Sequence, residues 1–164
     1  MPITYTPIAT TTLTSTASSY TFSSIPSTYT DLVVVVTARN TTSTYTATIR
    51  LNGDSGANYS STQLYGNGTT AGTNRDTSRT SIDNIYAASS ADTAEVFNVT
   101  LVNIQNYSNT TTYKTVLSRS NLTVQVAASA GLWRSTAAIT SLGIFSASNF
   151  AAGSTFTLYG IKAA

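Results

Sequence analysis

The sequence predicts an all-β domain: a two-sheet antiparallel β-sandwich, jelly-roll-like in form. Three observations predict it. β-branched and aromatic residues dominate short runs in which apolar and polar positions alternate, the period of a half-buried strand. Gly, Asn, Asp and Pro interrupt those runs, and these are the residues that turn a chain. Helical periodicity is hard to find anywhere in the 164 residues, a length that suits one domain.

The first candidate strand lies around residues 8–14, behind an extended N-terminal arm over residues 1–10, and the sandwich domain is expected over residues 11–164. A second strand covers residues 20–23, where Tyr20 and Phe22 share a face. Ile25-Pro26-Ser27-Thr28-Tyr29 then turns the chain, because Pro26 fixes φ and supplies no ladder donor. Leu32-Val33-Val34-Val35-Val36 is apolar on both faces. It reads as a central strand covered by the opposite sheet on one side and by a loop or neighbouring subunit on the other.

Tyr45, Ala47, Ile49 and Leu51 alternate with Thr46, Thr48 and Arg50, a strand with one buried face that ends at Asn52-Gly53-Asp54. Between residues 55 and 83 the pattern fades into what reads as the longest loop, with Gly56, Gly66, Gly68 and Gly72. Alternation returns over residues 95–105, with Phe97, Val99 and Leu101 opposite Val96, Val102 and Ile104. A turn over residues 106–110 leads to a strand over 112–118, and Leu122, Val124 and Val126 mark another. Residues 138–146 and 155–161 read as the two last strands, giving eight or nine in all.

Charge is the unusual feature of the composition. Only 9% of residues are charged, against about 25% in an average globular protein. Eight basic and six acidic side chains leave +2, little for keeping an isolated monomer dispersed. A surface covered by neighbours explains this, with Thr and Ser supplying hydrogen bonds without the desolvation cost of charge. No run of Lys or Arg exists to follow a phosphate backbone, so nucleic acid is not an expected partner. No apolar run approaches the roughly 20 residues of a membrane span, and the sequence starts without the basic and apolar regions of a signal peptide. Cysteine is absent, which removes disulfides and thiolate chemistry and fits assembly in a reducing cytoplasm.

Histidine is absent too, and with it the usual general base and metal ligand. Gly53-Asp54-Ser55-Gly56 resembles the nucleophile loop of chymotrypsin-like proteases, but no imidazole exists to take the Ser55 proton. The alternative is a turn in which Gly53 and Gly56 permit positive φ and Asp54 binds nearby amides. A carboxylate-pair hydrolase would have to draw on Asp31, Asp54, Asp76, Asp83, Asp92 and Glu95, most of them in turns or at strand ends. Asp54 or Asp76 with loop carbonyls has calcium-type donors but no EF-hand spacing. No cofactor, metal or catalytic residue is assigned. Asn-x-Ser/Thr patterns at Asn40, Asn98 and Asn121 follow from a chain rich in Asn and Thr. The ten Tyr and one Trp suit either sugar stacking or packing, and Trp133 reads as an anchor in the core or at a subunit seam.

Tyr20-Thr21-Phe22-Ser23-Ser24-Ile25-Pro26-Ser27-Thr28-Tyr29-Thr30-Asp31-Leu32, followed by Arg39, Leu51-Asn52-Gly53-Asp54 and Tyr59, resembles small β-sandwich virion proteins of tailed phages. The closing Leu158-Tyr159-Gly160-Ile161 resembles them as well. The resemblance implies a non-enzymatic virion part, made in the host cytoplasm. It implies either a capsid decoration or cement protein, or a tail or fibre module that recognises host-surface carbohydrate through Tyr side chains of residues 59–86. With only about ten residues ahead of the first strand, the decoration role is preferred. Its partners would be the major capsid protein and copies of itself, as trimer or dimer. Met1, Pro2, Ile3, Tyr5 and Pro7, lying across a neighbour, and Trp133 are the expected interface residues.

Overall fold

The computed structural model describes residues 4–162, apart from the side chain of Asn84. Eight of its strands are shared between two sheets: β1 (Tyr5–Thr12), β2 (Ala17–Phe22), β3 (Asp31–Ala38) and β4 (Thr46–Leu51) alternate between them, and so do β7 (Ile82–Tyr86), β8 (Asn98–Ile104), β11 (Leu142–Phe150) and β12 (Thr155–Ile161), with β7 in the sheet of β4. Their orders are β1-β12-β3-β8 and β2-β11-β4-β7. This wrapping of consecutive strands across two facing sheets is the jelly roll. Two hairpins are inserted into it, β5 (Tyr59–Gly66) with β6 (Ala71–Arg79) and β9 (Lys114–Asn121) with β10 (Val126–Trp133). Both extend the first sheet, which becomes eight strands in the order β1-β12-β3-β8-β9-β10-β5-β6. All these strand pairings are antiparallel, and no helix occurs among the described residues.

Twelve strands replace the eight or nine expected. The expected loop over residues 55–83 is mostly the β5–β6 hairpin, closed by a turn in which Asn67 accepts from the Thr69 and Thr70 amides and Gly68 takes φ +86°. The strand expected at Leu122, Val124 and Val126 starts only at Val126, because the Leu122 amide donates to the Gln125 carbonyl and closes a turn there. The arm is shorter than expected, since β1 begins at Tyr5 and pairs with β12 from Tyr5–Ile161 onward. Pro7 is tolerated because β1 is an edge strand, and the register shifts between Pro7 and Ala9.

The core lies between the two sheets. Leu32, Val34 and Val36 of β3 point inward with Phe156 and Leu158 of β12 and Val102 and Ile104 of β8. Ala47, Ile49 and Leu51 of β4, Ile82 and Ile85 of β7, and Leu142 and Ile144 of β11 meet them from the other sheet. Phe156 binds this layer together: its ring stacks on Tyr20 and meets Phe150 edge-on, each at 5.2 Å between centroids. Val33, on the opposite face of β3, is buried within the single chain, flanked in register by Tyr159 and Asn103. No neighbouring subunit is needed to cover it.

One cation is enclosed. Lys114 is buried at the start of β9, and its ammonium donates to the carbonyls of Thr112 (2.8 Å) and Thr136 (3.1 Å). Burial pushes its pKa below the ordinary lysine value, since no carboxylate offsets the lost hydration. Between the folded and the unfolded pKa the unfolded chain therefore binds more protons, so this residue's contribution to stability rises with pH across that window. Unfolding free energies measured against pH should show the rise in the wild type and lose it in Lys114→Met.

Candidate functional site

The eight-stranded sheet changes polarity halfway across. Its β1-β12-β3-β8 half turns apolar side chains inward. In the other half, beside the inward Tyr59, Val116 and Trp133, the buried inward positions include the polar Ser118 and Ser120 of β9, Ser129 of β10, and Ser61 and Gln63 of β5. They are satisfied locally: Thr100 and Ser120 share a hydrogen bond of 2.7 Å, and Gln63 Nε2 donates to the Tyr86 hydroxyl at 2.5 Å. β7 approaches β10 closely enough to require a glycine at position 131, because a Cβ there would lie 2.7 Å from Ile82 Cγ2.

Several large apolar residues of this half lie on the outer face. One register row crosses the sheet as Val35, Leu101, Arg119, Ala128 and Leu64. Around it lies an open groove of about 590 Å3, walled by Leu64, Val99, Leu101, Val126 and Ala128. Leu64 is 61% exposed, Val126 63% and Leu117, in the next row, 52%. Arg119 stands in the groove, and its guanidinium has no hydrogen-bond or ion-pair partner among the described residues.

A second, polar cleft of about 260 Å3 opens where β6 passes β4 and β7, lined by Thr46, Thr48, Asn74, Asp76, Arg79, Asp83 and Tyr86. Arg79 Nε and Nη2 both reach Asp83 Oδ2, at 2.7 and 2.6 Å, while Ser81 donates to Asp83 Oδ1 at 2.7 Å. Asp76 takes the Asn74 amide on Oδ2 (3.1 Å). Of the six acids this cleft unites Asp76 and Asp83, and Asp54 lies in a different loop.

Asp54 has a structural task. Its carboxylate accepts from the Gly56 amide (2.8 Å), Asn58 Nδ2 (2.9 Å) and the Trp133 indole (2.7 Å). The Trp133 bond does most to hold its pKa below the usual carboxylate value. Trp133 is 2% exposed and stacks on Tyr59, whose hydroxyl bonds Leu51 and the Asp54 carbonyl and is pushed by burial to a pKa of about 12. The tryptophan expected at the core or a seam is thus inside the domain and presents no face to a partner. Gly53 takes φ +67°, but Gly56 does not need a positive φ. Its missing Cβ instead leaves room for Asn58 Nδ2, which a Cβ would meet at 2.9 Å. Ser55 is exposed, and its hydroxyl has no hydrogen-bond partner among the described residues.

A depressed pKa stabilises the fold above the ordinary carboxylate range, and that stability is lost as pH falls through the folded value. Trp133→Phe should therefore lower stability at neutral pH by about 1.5–3 kcal/mol, the range for hydrogen bonds to charged groups. It should also flatten the acid limb of a stability-versus-pH curve. Asp54 would keep its bonds from Gly56 and Asn58, and Asp92 would add to the acid slope that remains. Desolvation raises that carboxyl, but bonds from Thr123, the Ser89 amide and Tyr45 outweigh it and hold the pKa low. Beside it, Arg39 donates to the carbonyls of Ser90, Asp92, Thr93 and Val96 and pins that loop.

Of the expected interface residues, Met1, Pro2 and Ile3 lie outside the described residues. Tyr5 and Pro7 are exposed on β1, where they pair with Ile161 and Tyr159. No group of three or more His, Cys, Asp or Glu able to hold a metal ion occurs among the described residues, nor a helix long and apolar enough to cross a membrane. The outer-face groove was not legible, because its residues are scattered over β5, β8, β9 and β10.

No protein-family model matches the chain, and neither does any curated protein. Among solved structures, an exo-inulinase from Aspergillus awamori is similar over 96% of this chain and 29% of its own, at 13% identity and a TM-score of 0.45. A protein of unknown function from Shewanella oneidensis covers 86% of this chain and 62% of its own, at 8% identity and a TM-score of 0.20. This chain thus spans under a third of the inulinase, and neither likeness bears on what it does.

Proposed function

We propose that this jelly roll is a non-enzymatic structural part of a phage particle, a decoration or cement protein that binds the head shell and stabilises it. The observation that carries this reading is the apolar groove on the outer face of the eight-stranded sheet. An isolated domain gains nothing by turning Leu64, Leu117 and Val126 to water while burying serines beneath them. A chain with so few charges has the same need for cover. The major capsid protein is the partner, and the unpaired Arg119 calls for a carboxylate on it, since a guanidinium desolvated without one is costly. Copies of the chain would sit as trimers or dimers at capsid symmetry axes.

The deletion that tests the N-terminal arm has to stop before β1. Removing residues 1–7 would take Tyr5 and Pro7 out of the sheet, whereas removing residues 1–4 spares every β1 pair. Cosedimentation with capsids prepared without the protein tests the reading. Saturable binding supports it, and protein that stays in the supernatant at every concentration contradicts it.

A further inference from the structure

We infer that the polar cleft between β6, β4 and β7 is a saccharide site that accepts one uncharged or amino sugar residue and rejects uronic acids. This goes beyond the shell-binding role and uses a different surface of the domain. The cleft brings together a guanidinium, two carboxylates, an amide, a phenol and two hydroxyls, a mixture of donors and acceptors that fits vicinal hydroxyl groups.

Several of these groups have capacity left over. The Thr48 hydroxyl has no partner among the described residues. Asp76 uses Oδ2 for Asn74, which leaves Oδ1 as an open acceptor. The Arg79 bonds to Asp83 run through Nε and Nη2, which leaves Nη1 as a donor. The Tyr86 oxygen accepts from Gln63, so its own proton is free to donate into the cleft. Two of these groups are held before any ligand arrives. Gln63 holds the phenol and Asp83 the guanidinium, so little side-chain entropy is lost on binding.

Size and charge narrow the ligand. The cleft's roughly 260 Å3 is below the range of about 300–1,000 Å3 usual for drug-sized ligands, which suits a single sugar ring. One Arg against two Asp gives the cleft 1 − 2 = −1, which repels a carboxylate-bearing sugar and favours a neutral or amino one.

The test is an array carrying neutral hexosides, amino hexosides, N-acetylhexosaminides and uronosides, followed by calorimetry with the best-bound printed sugar. Signal on the first three classes and none on uronosides is expected. Asp76→Ala and Thr48→Val should each weaken the calorimetric Kd about tenfold or more at unchanged Tm, while Leu64→Asp on the outer face should leave it unchanged. An array without signal, signal confined to uronosides, or a Kd indifferent to both cleft variants would overturn the assignment. Capsid cosedimentation would be unaffected by any of these outcomes, so the two readings stand or fall separately.

Discussion

Phe156→Ala should lower the unfolding free energy by about 3–5 kcal/mol, the range for removing a large buried aromatic. Phe156 is fully buried and touches both layers of the sandwich, stacking on Tyr20 of β2 and meeting Phe150 of β11 edge-on. Its strand lies between β1 and β3, so the site cannot collapse without moving paired backbone on both sides. Domains of this size are stable by only about 5–15 kcal/mol, so the variant should unfold at far lower denaturant than the wild type. Chemical denaturation reads the effect as a drop in midpoint at constant slope. A loss under about 1 kcal/mol would mean that the ring is not the keystone between the sheets.

Leu64→Asp combined with Val126→Asp should weaken binding to the shell at least a hundredfold while leaving the Tm nearly unchanged. Both side chains are more than half exposed in the isolated chain, so the new carboxylates remain hydrated there. Docking would strip that water from two charges in an apolar groove, at a cost of several kcal/mol after relaxation. Arg119 in the same groove offsets part of it, which is why two substitutions are specified. Cosedimentation at a series of concentrations measures the loss, and the melting curve serves as its control.

How much of the molecule was legible depended on which face each strand buries. The last strand appears at the expected residues 155–161 and β4 close to its own, because Phe156, Leu158, Ile49 and Leu51 alternate with polar or amphipathic neighbours, while β3 was marked by its unbroken run of Leu32 and four valines. Within β5 only Tyr59 is a large inward residue, Ser61 and Gln63 follow it inward and Leu64 points outward, so most of the pattern is inverted and reads as loop. The same inversion hid β10, where Ala127, Ser129 and Gly131 face inward and Val126 outward.

The candidate sites were legible only in part. Asp76, Asp83 and Tyr86 fall within a short stretch of sequence, but Thr46 and Thr48 reach them only through the β4–β7 pairing. Trp133 carries the right residue type for an anchor, yet its place inside depends on Asp54 and Tyr59, 79 and 74 positions away (133 − 54 and 133 − 59). Long-range register of this kind is set by the whole sheet and not by any local run.

The central claim is that the outer face of the eight-stranded sheet sits on a capsid. Electron microscopy of capsids prepared without the protein, imaged after it is added back, tests this most directly. Ordered density at symmetry axes, with β5, β9 and β10 turned toward the shell, is the predicted result. Bare shells, or density found only on tails, would contradict it.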